Sequence, residues 1–122
     1  MKKTIHRCAS VSLVMGCILS WLRQQNGLDQ QYMAQYLGIT QASWSRIETG
    51  HATANIEQII NSCNAIGIEF VYVARLYTHI IYQLDKKCVD ISIDSNARER
   101  ASNEIREIVK MTIAEHALSV SV

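Results

Sequence analysis

Apolar positions recur at helical spacing through most of this chain, with capping residues and glycines at the breaks. Val14, Ile18, Leu22 and Trp21 share a face within residues 11–25, and Asn26-Gly27 ends that run. Asp29 is a good N-cap for a short helix carrying Met33, Ala34 and Leu37 inward. Gly38 can take the left-handed conformation that stops it. Thr40 caps the next helix, Ala42 to Glu48, with Trp44 and Ile47 inward, and Gly50 ends it. After a polar loop, Thr53 or Asn55 can cap a fourth helix whose apolar face is Ile56, Ile59, Ile60, Cys63 and Ile66.

Residues 68–84 are apolar nearly all round. Phe70, Val73, Tyr77, Ile80 and Leu84 form one stripe, which Val71, Ala74, Ile81 and Tyr82 widen. The β-branched start is compatible with a strand, but the later spacing and the length favour a helix. Arg75 and His79 interrupt it, which argues against a membrane span. A helix apolar on most sides must be buried on most sides, and in so small a protein a subunit interface is the natural cover. Residues 88–94 alternate strictly, with Val89, Ile91 and Ile93 on one side, which is a strand signature. That strand either pairs with its copy in another subunit or stays an extended connector. Ser95 or Asn96 caps a last helix, residues 97–117, with Ile105, Ile108, Val109, Thr112, Ile113 and Ala117 as its stripe. This helix packs on its own domain or on a partner. Its charged face (Arg98, Glu99, Glu104, Arg106, Glu107 and Lys110) sums to zero, which argues against a nucleic-acid arm.

The expected class is mainly α. Residues 11–67 form a four-to-five-helix unit, and residues 68–122 form an extension of helix, possible short strand and final amphipathic helix. The absence of proline and the mere five glycines in 122 residues favour helices with few sharp loops. A chain this long can bury a core without disulfides or metal. Residues 1–10 read as a basic arm, which either touches phosphate or a minor groove or simply frays.

The two short helices around Gly38 approach each other at the small Ala34, as a helix-turn-helix requires. Gln41, Ala42, Ser45, Arg46 and Thr49 share the outward side of the second, with Ser43 beside them. A solvated helix face more often carries Lys and Glu. Gln can pair two-point with adenine and Arg with guanine, and Ala42 can meet a thymine methyl. An ordinary polar surface is the bland alternative.

Several of these residues together resemble the helix-turn-helix domain of the phage Cro and lambda-type repressor family, also called the xenobiotic response element family. The matching residues are Gly16, Leu19, Leu22 and Arg23, then Gly27-Leu28, Gln30, Met33-Ala34, Leu37-Gly38-Ile39 and Gln41. Ser45-Arg46-Ile47-Glu48-x-Gly50 and Ala65-x-Gly67 complete the set, within residues 15–67. Asp29 replaces the usual Ser or Thr, Trp44 an aliphatic residue, and no proline follows Gly50.

The resemblance implies a lambda-repressor-like fold and a sequence-specific DNA-binding regulator, a repressor acting as a homodimer. Gln41, Ala42, Ser45 and Arg46 are the base-contact candidates, and Gln30, Ser43, Thr49, Thr53 and Asn55 the phosphate candidates. Gln30 is also expected to brace Gln41. Arg23 and Glu48 are expected to form a structural ion pair. The dimer interface is expected to comprise Phe70, Val73, Tyr77, Ile80, Leu84, Ile105, Ile108 and Val109. The alternative is an antitoxin-like module that binds a protein partner, with DNA binding secondary or lost.

Charge and chemistry modify this reading. Lys2, Lys3 and Arg7 give residues 1–12 a charge of +3. Arg23 and Arg46 against Asp29, Glu48 and Glu57 give residues 13–67 a charge of −1. Lys and Arg normally supply the phosphate-dependent part of affinity, so a shallow salt dependence is expected. Cys8, Cys17, Cys63 and Cys88 lack close metal-ligand spacing and read as free thiols in a reducing cytoplasm, two of them in the core. His51, His79 and His116 are scattered. No catalytic constellation, metal or cofactor motif stands at a recognisable spacing, so no enzyme activity is expected. Val-Met-Gly-Cys at residues 14–17 imitates a lipoprotein cleavage site, but those residues fall within the expected first helix.

Overall fold

A computed structural model describes residues 7–92 and 103–119. The order is β1 (Arg7–Ser10), α1 (Val11–Gln25), α2 (Gln30–Leu37), α3 (Gln41–Glu48), α4 (Ile56–Ile66), α5 (Phe70–Lys86), β2 (Val89–Ser92) and α6 (Asn103–His116). A 3-10 turn, Ala117–Ser119, follows. The chain is mainly helical, with one small two-stranded sheet.

Helix α1 is the axis of the fold. Ser10 caps it, its hydroxyl accepting from the Leu13 amide at 3.0 Å. Leu13, Val14, Cys17, Ile18, Leu19 and Leu22 are all buried. That is more of the circumference than one amphipathic stripe supplies, because α3 packs on one side and α6 on another. Gly16 is the point of closest approach. A Cβ there would overlap the Ile47 carbonyl oxygen of α3. Gly50 sits at φ +80° directly beneath Leu13, so it both turns the chain and lets the loop lie against α1.

The C-terminal elements belong to this same core. Val73, Leu76, Ile80 and Leu84 of α5 are buried with Ile105, Val109, Ile113 and Ala117 from α6 and its following turn. The assignment of Val73, Ile80, Leu84, Ile105 and Val109 to a dimer interface is therefore corrected. Each is at most 6% exposed within the single chain. Tyr77 and Ile108 are half-buried against the core, and of that group only Phe70, 41% exposed, is largely free. A hydrophobic face states that it needs cover, not which element covers it. Here α6 covers α5 and α1.

The strand register brings a second correction. β2 pairs in parallel with β1 of the same chain, Arg7 opposite Val89 and Ser10 opposite Ser92. The basic arm therefore becomes a strand from Arg7 onward, with Ala9 and Ser10 buried. Arg7 donates to the Lys87 carbonyl and lies 3.5 Å from Glu104, so it ties the sheet to α6 rather than facing phosphate. Expectations for residues 1–6 and 93–102 lie outside the described residues.

Among the described residues no single helix is long and apolar enough to cross a membrane. Cys17 and Cys63 are buried free thiols. Burial pushes the Cys17 thiol up to about 11, against the opposing charges of Lys110 and Arg106.

Candidate nucleic-acid interface

Local capping builds the helix pair. The Asp29 carboxylate accepts from the Tyr32 amide, and the Thr40 hydroxyl accepts from the Ser43 amide. Between them Gly38 adopts φ +71°, and the Ile39 amide returns to the Ala34 carbonyl at 2.9 Å. Met33, Ala34, Trp44 and Ile47 turn inward. Once those positions are buried, helical periodicity leaves the opposite face of α3 in solvent.

Glu48, only 7% exposed, fixes the angle of α3. Its carboxylate accepts from Arg23 Nε and Nη2 at 2.5 and 3.0 Å. Trp44 Nε1 donates to it at 2.6 Å and Gln30 Nε2 at 2.8 Å. Arg23 also donates to the Leu28 carbonyl at 2.8 Å. One carboxylate thus joins α1, α2 and α3. The Trp44 and Gln30 contacts were missed in the sequence, although Trp44 and Glu48 stand one helical turn apart. The unusual Trp at this position supplies a third donor to the buried carboxylate. Among the described residues no buried side-chain polar atom lacks a partner.

Gln41, Ala42 and Arg46 are exposed on α3, and Ser45 is half-buried. Arg46 makes one long contact, 3.4 Å, to the His51 carbonyl. With Ser43 it borders a groove of about 220 Å³ shared with Ala52, Thr53 and Gln58. The face is amide, methyl, hydroxyl and guanidinium, set on a helix that three donors to the buried Glu48 carboxylate hold in place.

The phosphate candidates are more engaged. The Gln30 amide nitrogen goes to Glu48 instead of bracing Gln41. The Thr53 hydroxyl pairs with Ser12 at 2.7 Å. The Asn55 side chain accepts from the Gln58 amide at 2.7 Å, and Gln58 Oε1 accepts from the Asn55 amide, a complete capping box. Thr49 Oγ1 bonds back to α3 carbonyls and lies 2.8 Å from His51 Nδ1. Ser43 Oγ accepts from Thr40 at 2.9 Å and stays exposed. Asn55 and Thr53 act first as local fasteners, because short polar side chains at a helix start bond the nearest backbone or hydroxyl group.

Beside this face runs a cleft of about 290 Å³ between α1, the end of α3 and α6. Ser20, Gln30, Thr49, His51, Arg106 and Lys110 wall it, and Cys17 and Glu48 also line it. Arg106 Nη1 donates to the Thr49 carbonyl, at the C-terminus of α3. The cation there complements the helix dipole.

Residues 19–73 match the model of the family described as Helix-turn-helix. No curated protein matches the chain. The matched span begins within α1, contains α2 to α4 and the Arg23–Glu48 pair, and ends in the first turn of α5. The match supports the resemblance of residues 19–73 to the Cro and lambda-type helix-turn-helix family, whose members are DNA-binding regulators.

Proposed function

We propose that this protein is a sequence-specific transcriptional repressor that enters the major groove as a homodimer. The observation that carries the reading is the exposed edge of α3. Gln41, Ala42 and Arg46 project into solvent from a helix whose inner face is locked through Trp44, Ile47 and Glu48. Gln and Arg supply two-point hydrogen bonding to adenine and guanine edges, and Ala42 supplies a contact for the thymine methyl. A bound dimer represses by occupying its site, which requires no further chemistry. The alternative, capture of a protein by the C-terminal apolar stripe, is less well supported. Most of that stripe is buried in the chain's own core.

Dimerisation needs a different surface from the buried one. Ile56 and Ile60, 60% and 41% exposed, lie one turn apart on the outer face of α4. Helix α4 starts just after the loop that leaves α3, so a second copy seated there draws two recognition helices toward one another. Two apolar side chains one turn apart give a second copy an apolar surface to cover. Selection from a random duplex pool is expected to enrich a motif of two half-sites about one helical turn apart. Light scattering is expected to give a dimer, and Ile56→Asp with Ile60→Asp a folded monomer that loses the two-half-site preference. A wild-type monomer would contradict the dimer, and a pool without enrichment would contradict sequence-specific reading.

A further inference from the structure

The charged face of α6 sums to zero along the sequence, yet the fold sorts its charges. Glu104 lies 3.5 Å from Arg7, on the side of the two-stranded sheet. Glu115 accepts from Lys87 at 2.8 Å, which holds its carboxyl below the ordinary range. Arg106 and Lys110, one helical turn apart, both reach the cleft beside Thr49, His51 and Gln30. Glu48 in that cleft is already held by Arg23. Among the described residues Glu107, 3.9 Å from Lys110, is the acid left nearby, and its side chain is 70% exposed.

We infer that α6 extends the nucleic-acid surface, with Arg106 and Lys110 contacting a backbone phosphate of the duplex that α3 reads. This rests on the DNA-reading function proposed above. The cleft includes Gln30, at the start of α2, and Thr49, at the end of α3, so both cations stand beside the helix that reads the duplex. Residues 13–67 carry a net −1, so the helix-turn-helix by itself has little to offer a polyanion. Phosphate contacts position a protein without reading sequence, and Lys and Arg are their usual donors. Arg106 is pre-oriented by its bond to the Thr49 carbonyl, which uses one of its five N–H groups. The Lys110 side chain is 61% exposed, and its ammonium is free to swing from Glu107 to a phosphate oxygen. The rigid element that completes the core thereby also supplies the missing positive charge.

The test is fluorescence anisotropy of a labelled duplex carrying the selected motif, between 50 and 200 mM salt, with the full chain. Lys110→Gln and Arg106→Gln are each expected to make the plot of log affinity against log salt shallower by about 0.9 per bound subunit, about 1.8 for the dimer. Each is expected to weaken binding roughly five- to tenfold per bound subunit at 0.1 M salt. Glu107→Gln is expected to tighten binding. The ranking of single-base variants of the motif should not change in any of the three. Among the described residues Lys110 makes only the exposed ion pair with Glu107, which contributes little to stability, so the unfolding midpoint of Lys110→Gln should match wild type. An unchanged salt slope in folded Lys110→Gln overturns the inference while leaving base reading by α3 intact. A changed base ranking also overturns it. Wild-type protein that binds duplex without base preference would instead remove the α3 reading, and the slopes would still decide the role of α6. Absence of any duplex binding at 50 mM salt removes both.

Discussion

Glu48→Ala is expected to lower the unfolding free energy by about 3–5 kcal/mol, the cost of leaving a buried charge without its partner. Four donated hydrogen bonds converge on this carboxylate, from Arg23 twice, Trp44 and Gln30. The Arg23 side chain is 12% exposed and cannot recover full hydration without opening the junction of α1 and α2. Trp44 is completely buried, so its indole N–H would be left with no acceptor. A small domain has only about 5–15 kcal/mol of stability in total. Urea unfolding followed by Trp fluorescence reads the loss directly. Glu48→Gln keeps one acceptor oxygen and is expected to lie between wild type and Ala. A Glu48→Ala midpoint equal to wild type would show that the junction is held by apolar packing alone.

Gly16→Val is the second large effect. Its side chain would meet the backbone of Ile47 and Glu48, and backbone cannot rotate aside. Helices α1 and α3 must separate, which opens the layer of Leu13, Ile18, Trp44 and Ile47. Overpacking against side chains costs about 1–3 kcal/mol, and a rigid backbone obstacle puts this substitution at or above the top of that range. Gly16→Ala is expected to be milder, because it recovers up to about 1 kcal/mol of helix propensity while meeting the same carbonyl. Thermal denaturation of both variants tests the order. Duplex binding should fall in the same order, since the recognition helix is held against α1 at this point. A fully stable Gly16→Val would mean that α1 and α3 can part without loss of the core.

Much of residues 11–67 was legible because its determinants are local. Asp29, Thr40 and Asn55 each cap a helix within three residues, and Gly38 and Gly67 each end one in the left-handed conformation. The outward edge of α3 was legible for the same reason, since burying Trp44 and Ile47 leaves Gln41 and Arg46 outside. The strand at Arg7–Ser10 was not legible. Four mixed residues carry no strand signature, and their partner lies some eighty residues away. The stripes of α5 and α6 were read correctly as needing cover, but their mutual packing in one chain leaves no local mark. Thr53 and Gln30 were singled out for phosphate, and each bonds a residue distant in sequence, Ser12 and Glu48, which spacing along the chain does not disclose. Arg106 escaped notice because its face is neutral when summed. Its importance appears only once Glu104 and Glu115 have found cations elsewhere.

Integration of α5 and α6 also changes which experiments are meaningful. Removing residues 68–122 would strip Val73, Leu76, Ile80, Val109 and Ile113 from a shared core. Point substitutions on the intact chain are therefore the informative ones. The most direct is the affinity of Arg46→Ala for the selected motif and for every single-base-pair variant of it, at one salt concentration. Base reading by this guanidinium predicts a loss of roughly 1–3 kcal/mol per half-site and no remaining preference at one base pair in each, all other positions keeping their order. An equal loss on every sequence, or an unaltered preference at every position, would contradict it.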